Sequence, residues 1–460
     1  MARAKKEAAL TPEERLQAAL VPDWEWPYKL PGNWCWTRIT VITDILNGFA
    51  FKSQHYSSAG IRIIRITNVQ DGFIQDKKPV YYPLVSQKEI TPFMLKDGDF
   101  LMSLTGNVGR VAIIDASFLP AALNQRVACL RIKSEDSVRK EYIFYFCLQK
   151  QFVSDCIKSA KGSAQLNMST EWLKEYPIPL PPLAEQQRIV DRIKSLFAKL
   201  DETKEKAQAV VDSFETRKAA ILHKAFTGEL TAKWRRTHGL SLDTWKEVAA
   251  DSLFEYVTSG SRGWAKYYDE SGAVFIRMGN LDHGTIELDF SDIQHVKLPN
   301  KAEGQRSRIR KNDILISITA DVGMVGLVRN DDFEAYINQH IALARPVMSE
   351  SAEFIAWYLV SDIGLKQMQE KQRGATKVGL SLNDIRALQL KIPLIEEQNE
   401  ILKVIKMWIG KEHQAKEAAE VVLDQIDLMK KSILARAFRG ELGTNDPSEE
   451  SAVELLKQLI

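Results

Sequence analysis

The sequence is short of most of what an enzyme or a membrane protein needs. Its 460 residues contain no apolar run near the roughly 20 residues that span a bilayer. The opening Met-Ala-Arg-Ala-Lys-Lys-Glu is charged and lacks a signal-peptide core, so a cytoplasmic location is expected. Only four cysteines occur, Cys35, Cys129, Cys147 and Cys156, none in CxxC spacing. They read as reduced, buried thiols rather than a disulfide framework or a zinc site. There is no GxxxxGK(S/T) and no GxGxxG after a strand, which removes the common nucleotide grips. Asn-Pro-Pro-Tyr and Asp-Pro-Pro-Tyr are absent, no paired-carboxylate nuclease signature can be placed, and the seven histidines form no metal-spaced cluster. The expectation is a chain without catalytic residues, cofactor or metal of its own. Charge of one sign is lacking too. A net +2 argues against a histone-like nonspecific binder and leaves room for a locally basic reader.

What is present is a sequence written twice. Pro182-Leu183-Ala184-Glu185-Gln186-Gln187 returns 212 positions later as Leu394-Ile395-Glu396-Glu397-Gln398-Asn399. Ala225-Phe226-Thr227-Gly228-Glu229-Leu230 returns at the same offset as Ala437-Phe438-Arg439-Gly440-Glu441-Leu442. The element between these anchors therefore has one fixed length in both copies. From Ile189 to Ile221 its apolar positions step by four and three, a heptad seam. Carried forward by 212, the seam runs through Ile401, Ile405, Trp408, Glu412, Ala415, Ala419, Val422, Ile426, Met429 and Ile433. Proline marks both starts and glycine both ends. Each copy reads as a helix of about 40 residues, roughly 60 Å long. Polar intrusions fall at Thr203 and Arg217 in one copy and Glu412 in the other, so the two helices are expected to pair with each other. Because domain termini usually lie close together, the segment between the helices favours an antiparallel pair with pseudo-two-fold symmetry.

The globular segments before each helix also align. Arg65 and Asn68 match Arg277 and Asn280, Asp99 matches Asp313, and Asn124-Gln125 matches Asn338-Gln339. Short β-branched runs broken by Gly and Asn predict a strongly bent sheet or partial barrel, with helices over Glu141–Ala160 and Glu353–Gln372. The fold class is α+β: two mixed α/β domains with bent sheets, separated by two long antiparallel coiled-coil helices. The expected divisions are an N-terminal extension with a short helix (1–34), a first domain (35–183), a first spacer helix (184–230) and a linker (231–244). A second domain (245–395), a second spacer (396–442) and a tail helix (443–460) follow. Thr11-Pro12-Glu13-Glu14 is a capping box opening the N-terminal helix. Asp446-Pro447-Ser448-Glu449 opens the tail helix, whose apolar side chains suit either a partner subunit or the spacer helices.

Matching strands carry differing loops, and recognition resides in loops. Asn107 and Arg110 face Asp321 and Met324, and Asn124, Gln125 and Arg126 face Asn338, Gln339 and His340. Asn and Gln suit adenine's paired donor and acceptor, and Arg suits guanine or a phosphate. The plain alternative for each is a turn-forming Asn or a surface Arg. Lys161 and Ser163, and Arg373, Thr376 and Lys377, lie in small-residue basic loops suited to phosphate. With Arg65 and Arg277 these complete the candidate DNA-contacting set, while Asn68 and Asn280 read as structural turns.

On the Pro-Pro-Leu-Ala-Glu-Gln-Gln motif at 181–187 and its echo, the Phe226–Leu230 motif with Trp234, its echo at 437–442, and the order globular–helix–globular–helix, the chain resembles the specificity subunits of Type I restriction-modification systems. The echo lacks one proline and has Asn399 for the second glutamine. The resemblance implies two target recognition domains, each reading half of a split, asymmetric double-stranded DNA site, with the helices setting the gap. It implies two modification subunits carrying S-adenosylmethionine that methylate flipped adenines, and restriction subunits using ATP and Mg. The other readings are a stand-alone two-headed DNA-binding protein, a self-contained nuclease or methyltransferase, and a purely structural adaptor.

Overall fold

A computed structural model of the chain describes residues 11–84, 87–162, 165–298, 304–373 and 379–460. The contacts divide into two compact units: residues up to Glu205 together with Val422–Ile460, and Lys206–Val421. The division falls inside the spacer helices, so each unit contains a stretch of both.

Unit 1 is built on an antiparallel sheet in the order Thr43–Asn47, Val127–Ile132, Phe100–Ser103, Val111–Ile113, beside a three-stranded sheet centred on Ile61–Ile64. Unit 2 repeats the first sheet as Phe254–Ser259, Ile341–Pro346, Ile314–Ser317, Val325–Leu327, and its second sheet has four strands. Among the described residues no sheet closes into a barrel. In each unit a two-stranded ribbon ties entry to exit. Cys35–Arg38 pairs antiparallel with Pro177–Leu180, and Lys246–Ala249 with Gln389–Ile392. These ribbons hold the two ends of each globular segment side by side.

Each expected long domain helix is two helices. Lys140–Cys147 and Lys150–Ser159 replace the first, because Gln149 is extended at φ −63°, ψ 140°. Ala352–Val360 and Asp362–Glu370 replace the second, divided at Ser361, whose hydroxyl caps the new helix by accepting the Gly364 N–H. Serine and threonine hydroxyls compete for backbone donors in this way.

The spacer helices run antiparallel within each unit. In unit 1, Asp201 meets Lys430 at 2.5 Å, while Ile189 and Ile193 share a core with Leu434, Ala437 and Phe438. In unit 2, Phe214 stacks edge-on against His413, and Leu222 and Phe226 share a core with Ile401, Ile405 and Ile409. The polar intrusions Arg217 and Glu412 face one another at 2.6 Å. The first spacer is helical over Leu183–Asp212 and Phe214–Phe226, with a one-residue irregularity at Ser213. The second is continuous over Ile395–Ala437. The expected second seam fails in places: Trp408 and Met429 are exposed and Ile409 is buried beside Trp408, whereas Ile401, Ile405, Ala419 and Ile426 are buried as expected. Copying the first helix's phase placed Trp408 inward; its ring instead lies against Lys411.

The repeated motifs are the joints of the units. Phe438 lies 5.0 Å from Tyr142 and 5.3 Å from Phe146, and Phe226 lies 5.3 Å from Phe354 and 5.2 Å from Tyr358. The same three rings recur 212 positions apart, and burying each phenylalanine is worth about 1.5–3 kcal/mol. Gly228 and Gly440 follow in the left-handed region at φ 82° and 74°, the usual device for ending a helix. A Cβ on Gly440 would stand 2.4 Å from Pro31.

The two termini complete unit 1. Helix Pro12–Ala19 carries the expected capping box, with the Glu14 carboxylate accepting the Thr11 N–H at 2.8 Å. The tail helix begins later than expected, at Ala452, because Asp446 and Ser448 close a turn of their own. Its Ala452 and Leu456 are fully buried in the unit 1 core. The tail thus packs on its own unit, with Val453, Leu455, Leu459 and Ile460 half-buried. All four cysteines are free and buried. Burial pushes Cys35 and Cys156 up to about 12, which leaves them unreactive thiols at neutral pH.

Candidate nucleic-acid interface

In unit 1 three loops emerge at one end of the main sheet and are stitched together by backbone. Leu104 N–H donates to Arg126 O at 2.9 Å, Gly106 N–H to Leu166 O at 2.9 Å, and Met168 N–H to Leu104 O at 2.8 Å. Lys161 and Asn167 exchange two backbone bonds, and Thr105 Oγ1 donates to Asn167 Oδ1 at 2.8 Å. Unit 2 repeats the stitching. Ile318 N–H reaches His340 O, Leu380 N–H reaches Ile318 O, and Arg373 and Gly379 exchange bonds. Loops separated by tens of residues therefore form one edge in each unit. Gly48 and Gly260 press a fourth segment against it, since a Cβ on either would lie 2.2 Å or less from the backbone of the neighbouring turn. Behind each edge a bidentate pair braces the sheet: Arg131 with Asp99, and Arg345 with Asp313. Hydrogen bonding to the carboxylate raises the pKa of both guanidiniums, holding them charged.

The expected contact residues separate into three groups. Asn107, Gln125, Arg126, Lys161 and Arg373 are exposed on these edges, Arg373 also standing 3.5 Å from Asp384, and Gln339 and His340 are half-buried there. Asn124 and Asn338 spend their side-chain oxygens on the N–H groups of Arg126 and His340, so they fold the reading turns. The others are engaged elsewhere in the protein. Arg110 donates to Gln70 at 2.8 Å and stands 3.6 Å from Asp71. Arg65 donates to Lys78 O, Arg277 pairs with Asp292, and Asp321 pairs with His283. Ser163, Thr376 and Lys377 lie outside the described residues. Asn68 and Asn280 are structural, each accepting a backbone N–H and donating to loop carbonyls.

Unit 2 orients its glutamine. The Gln339 amide donates to His340 Nε2 at 3.0 Å, which places the ring proton on Nδ1, 2.6 Å from Thr319 Oγ1. In unit 1 the corresponding Thr105 turns to Asn167 instead, and Arg126 stands where His340 does. Beside Gln339 opens a cleft lined by Arg262, Lys266, Tyr267, Arg306 and Thr319. The sequence reading passed over these cations; their signal was the basic and aromatic interleaving of Arg262-Gly263-Trp264-Ala265-Lys266 after Gly260. Among the described residues no group of three or more His, Cys, Asp or Glu is placed to hold a metal ion, and no helix is long and apolar enough to cross a membrane.

Comparison with known proteins agrees with this geometry. Residues 31–211 and 243–420 match the family model described as the Type I restriction modification DNA specificity domain. The chain is 28% identical over 428 residues to the Type I restriction enzyme EcoBI specificity subunit of Escherichia coli, spanning 88% of this chain and 86% of that one. It is 24% identical over 426 residues to the StySPI specificity subunit of Salmonella potsdam, spanning 90% of each. The crystal structure of the HsdS subunit from Thermoanaerobacter tengcongensis has a similar fold, with TM-score 0.61 and 18% identity over 91% of this chain and 100% of that chain.

Proposed function

The chain belongs to the Type I restriction-modification DNA specificity family, and we propose that each of its units reads one half of a split, asymmetric DNA site. The observation that carries this reading is one frame bearing two different polar edges. Gln125 and Arg126 occupy the turn of unit 1, and Gln339 and His340 the same turn of unit 2. A glutamine amide matches the donor and acceptor of adenine in the major groove, and an arginine fork matches guanine. The spacer helices set the gap between half-sites. Half-sites one helical turn apart, about 10–10.5 bp, lie on one face of the duplex.

The chain itself supplies specificity and no catalysis. Two modification subunits carrying S-adenosylmethionine flip and methylate adenines, and restriction subunits supply ATP- and Mg-dependent translocation and cleavage. Docking of modification subunits on the spacer helices is supported by apolar side chains that the seam leaves outward. Met407, Trp408 and Val421 are exposed within unit 2, and Leu428 and Met429 within unit 1. Exposed apolar side chains grouped in this way suit partner helices.

The test is the adenine methylome of a host expressing the modification partner with and without this chain. The expected result is a split motif, two short half-sites around a fixed gap, methylated only when the chain is present. Methylation that ignores the chain would instead favour a stand-alone DNA-binding protein.

A further inference from the structure

Residues 306–310 of unit 2, Arg-Ser-Arg-Ile-Arg, alternate strictly between exposed and buried. Arg306, Arg308 and Arg310 face outward, while Ser307 and Ile309 are buried. The segment is pinned from behind at several points. Tyr256 Oη donates to Arg306 O at 3.2 Å, Arg308 bridges to Tyr336, Ile309 N–H donates to Ala335 O, and Arg310 N–H donates to Asp313 Oδ2 at 2.6 Å. Backbone, not side chain, makes these attachments, so the three guanidiniums stay outside the network that holds the segment.

Several arginines elsewhere in the protein are neutralised. Arg62, Arg131, Arg217, Arg235 and Arg329 each pair with a carboxylate. Among the described residues, none of the three arginines of this segment forms an ion pair, although Glu255 and Asp331 line the same cleft and Asp313, itself paired with Arg345, lies within electrostatic reach of Arg310. Three guanidiniums held close together without a direct ion pair repel one another, and an anion received among them relieves that repulsion. The segment also adjoins the reading edge, because Arg306 lines both this cleft and the one beside Gln339, with Arg262 and Lys266. Extended backbone sets the attachment points of Arg308 and Arg310 roughly 6.7 Å apart, comparable with the separation of successive phosphates along one strand.

The repeat supplies a comparison. In unit 1, Lys96 N–H donates to Asp99, Leu95 N–H donates to Ala121 O, and Met94 bridges to Ala122, reproducing the attachments of Arg310, Ile309 and Arg308. The side chains in that frame are Pro92, Met94 and Lys96. We infer that Arg306, Arg308 and Arg310 form a comb that grips the phosphate backbone of the half-site met by unit 2, a grip that unit 1 replaces with a single lysine. The comb positions the duplex; the bases are read by the neighbouring turn. This inference rests on the proposed DNA-reading function.

The experiment is a salt titration of DNA binding by the chain assembled with its modification subunits, with ethylation interference on the same duplex. The Gln339→Ala variant identifies the half-site belonging to unit 2, as the half whose motif changes. Arg306→Ala/Arg308→Ala is expected to make the slope of log Kobs against log salt shallower by about 2, at about 0.9 per phosphate. Affinity should fall by the same factor on specific and scrambled duplexes, and interference should weaken in the unit 2 half alone, where Arg310 remains. Arg306→Lys/Arg308→Lys keeps the charges and should restore the slope, which separates lost contacts from misfolding. Wild-type binding with an unchanged slope in the alanine variant would overturn the comb. So would a loss spread over both halves, or an equal loss in the charge-matched Lys403→Ala/Lys457→Ala variant, whose sites lie far along the chain. Failure of the wild-type assembly to bind any duplex would remove the DNA-reading function itself, and the comb with it.

Discussion

Glu185 and Glu397 occupy equivalent places at the starts of the two spacer helices, both are fully buried, and they are satisfied by different chemistry. Among the described residues the donors to Glu185 are neutral: Trp34 Nε1 and Asn445 Nδ2, each at 2.8 Å, and the Thr444 hydroxyl at 3.3 Å. Glu397 accepts Trp245 Nε1 at 3.0 Å, the Thr231 hydroxyl at 2.7 Å and the guanidinium of Arg235, itself buried. Tryptophan comes from the segment entering the domain in both cases. The remaining donors come from the linker in unit 2 and from the C-terminal tail in unit 1. The repeat is therefore completed cyclically, and the tail does for unit 1 what the linker does for unit 2. One joint is a neutral hydrogen-bond cage and the other a buried ion pair. A shared backbone frame tolerates either.

The sharpest way to break this comparison is to neutralise both carboxylates. Glu397→Gln leaves Arg235 buried without its counter-ion, and breaking one side of a buried pair costs about 3–5 kcal/mol. Glu185→Gln keeps one acceptor oxygen for Trp34 and Asn445 and turns its amide toward Thr444, so its cost is on the order of one hydrogen bond, about 1 kcal/mol. Chemical denaturation of the full chain should show a large drop in midpoint for the first variant and a small one for the second. Equal losses would mean that the cage and the ion pair are not distinct.

A smaller effect sharpens the comparison at the reading edges. Gln339→Ala should cost about 1–3 kcal/mol of discrimination at one base pair, visible as a relaxed position in one half of the methylated motif. Gln125→Ala should relax a position in the other half. His340→Ala leaves Gln339 in place but frees its amide, so the same half should loosen to a lesser degree. If the Gln339 and Gln125 variants relax the same half, the units do not read independently.

Much of this was legible in the sequence because repetition reports what a frame cannot change. Glu185, Phe226 and their echoes stand out at one offset, and each is a buried joint. The paired loops were legible for the same reason. What differs between copies was harder to assign. Arg110 and Asp321 read as contact residues, but Gln70 and His283, which engage them, lie about 40 residues away in sequence, where no local pattern links them. The comb has no arginine counterparts at Pro92 and Met94, so aligning the copies concealed it. Transferring the first heptad phase to the second helix misplaced Trp408, since an outward apolar stripe mimics a seam. The breaks at Gln149 and Ser361 depend on single dihedrals and a single hydroxyl, which periodicity does not register.

The smallest expected effect is a pH dependence present at one joint. Desolvation raises the pKa of Glu185 above the ordinary glutamate value, against hydrogen bonds from Asn445, Trp34 and Thr444 that lower it. A raised folded-state pKa means the folded chain keeps this proton at pH values where the unfolded chain has released it. Stability from this group therefore falls as pH rises from the ordinary glutamate value through the raised one, and is flat above it. Acidification from neutrality into that window should favour the folded state. Asp384 and Asp446, whose pKa values are lowered by hydrogen bonds from serines, act with the opposite sign at lower pH. Their contribution cancels when wild type is compared with Glu185→Gln at each pH. The difference in unfolding free energy between the two should move in favour of wild type as pH falls from 7 toward about 4.5. A difference that stays constant over that range would show that Glu185 releases its proton as freely in the folded joint as in the unfolded chain, and that the neutral cage stabilises the carboxylate as well as water does.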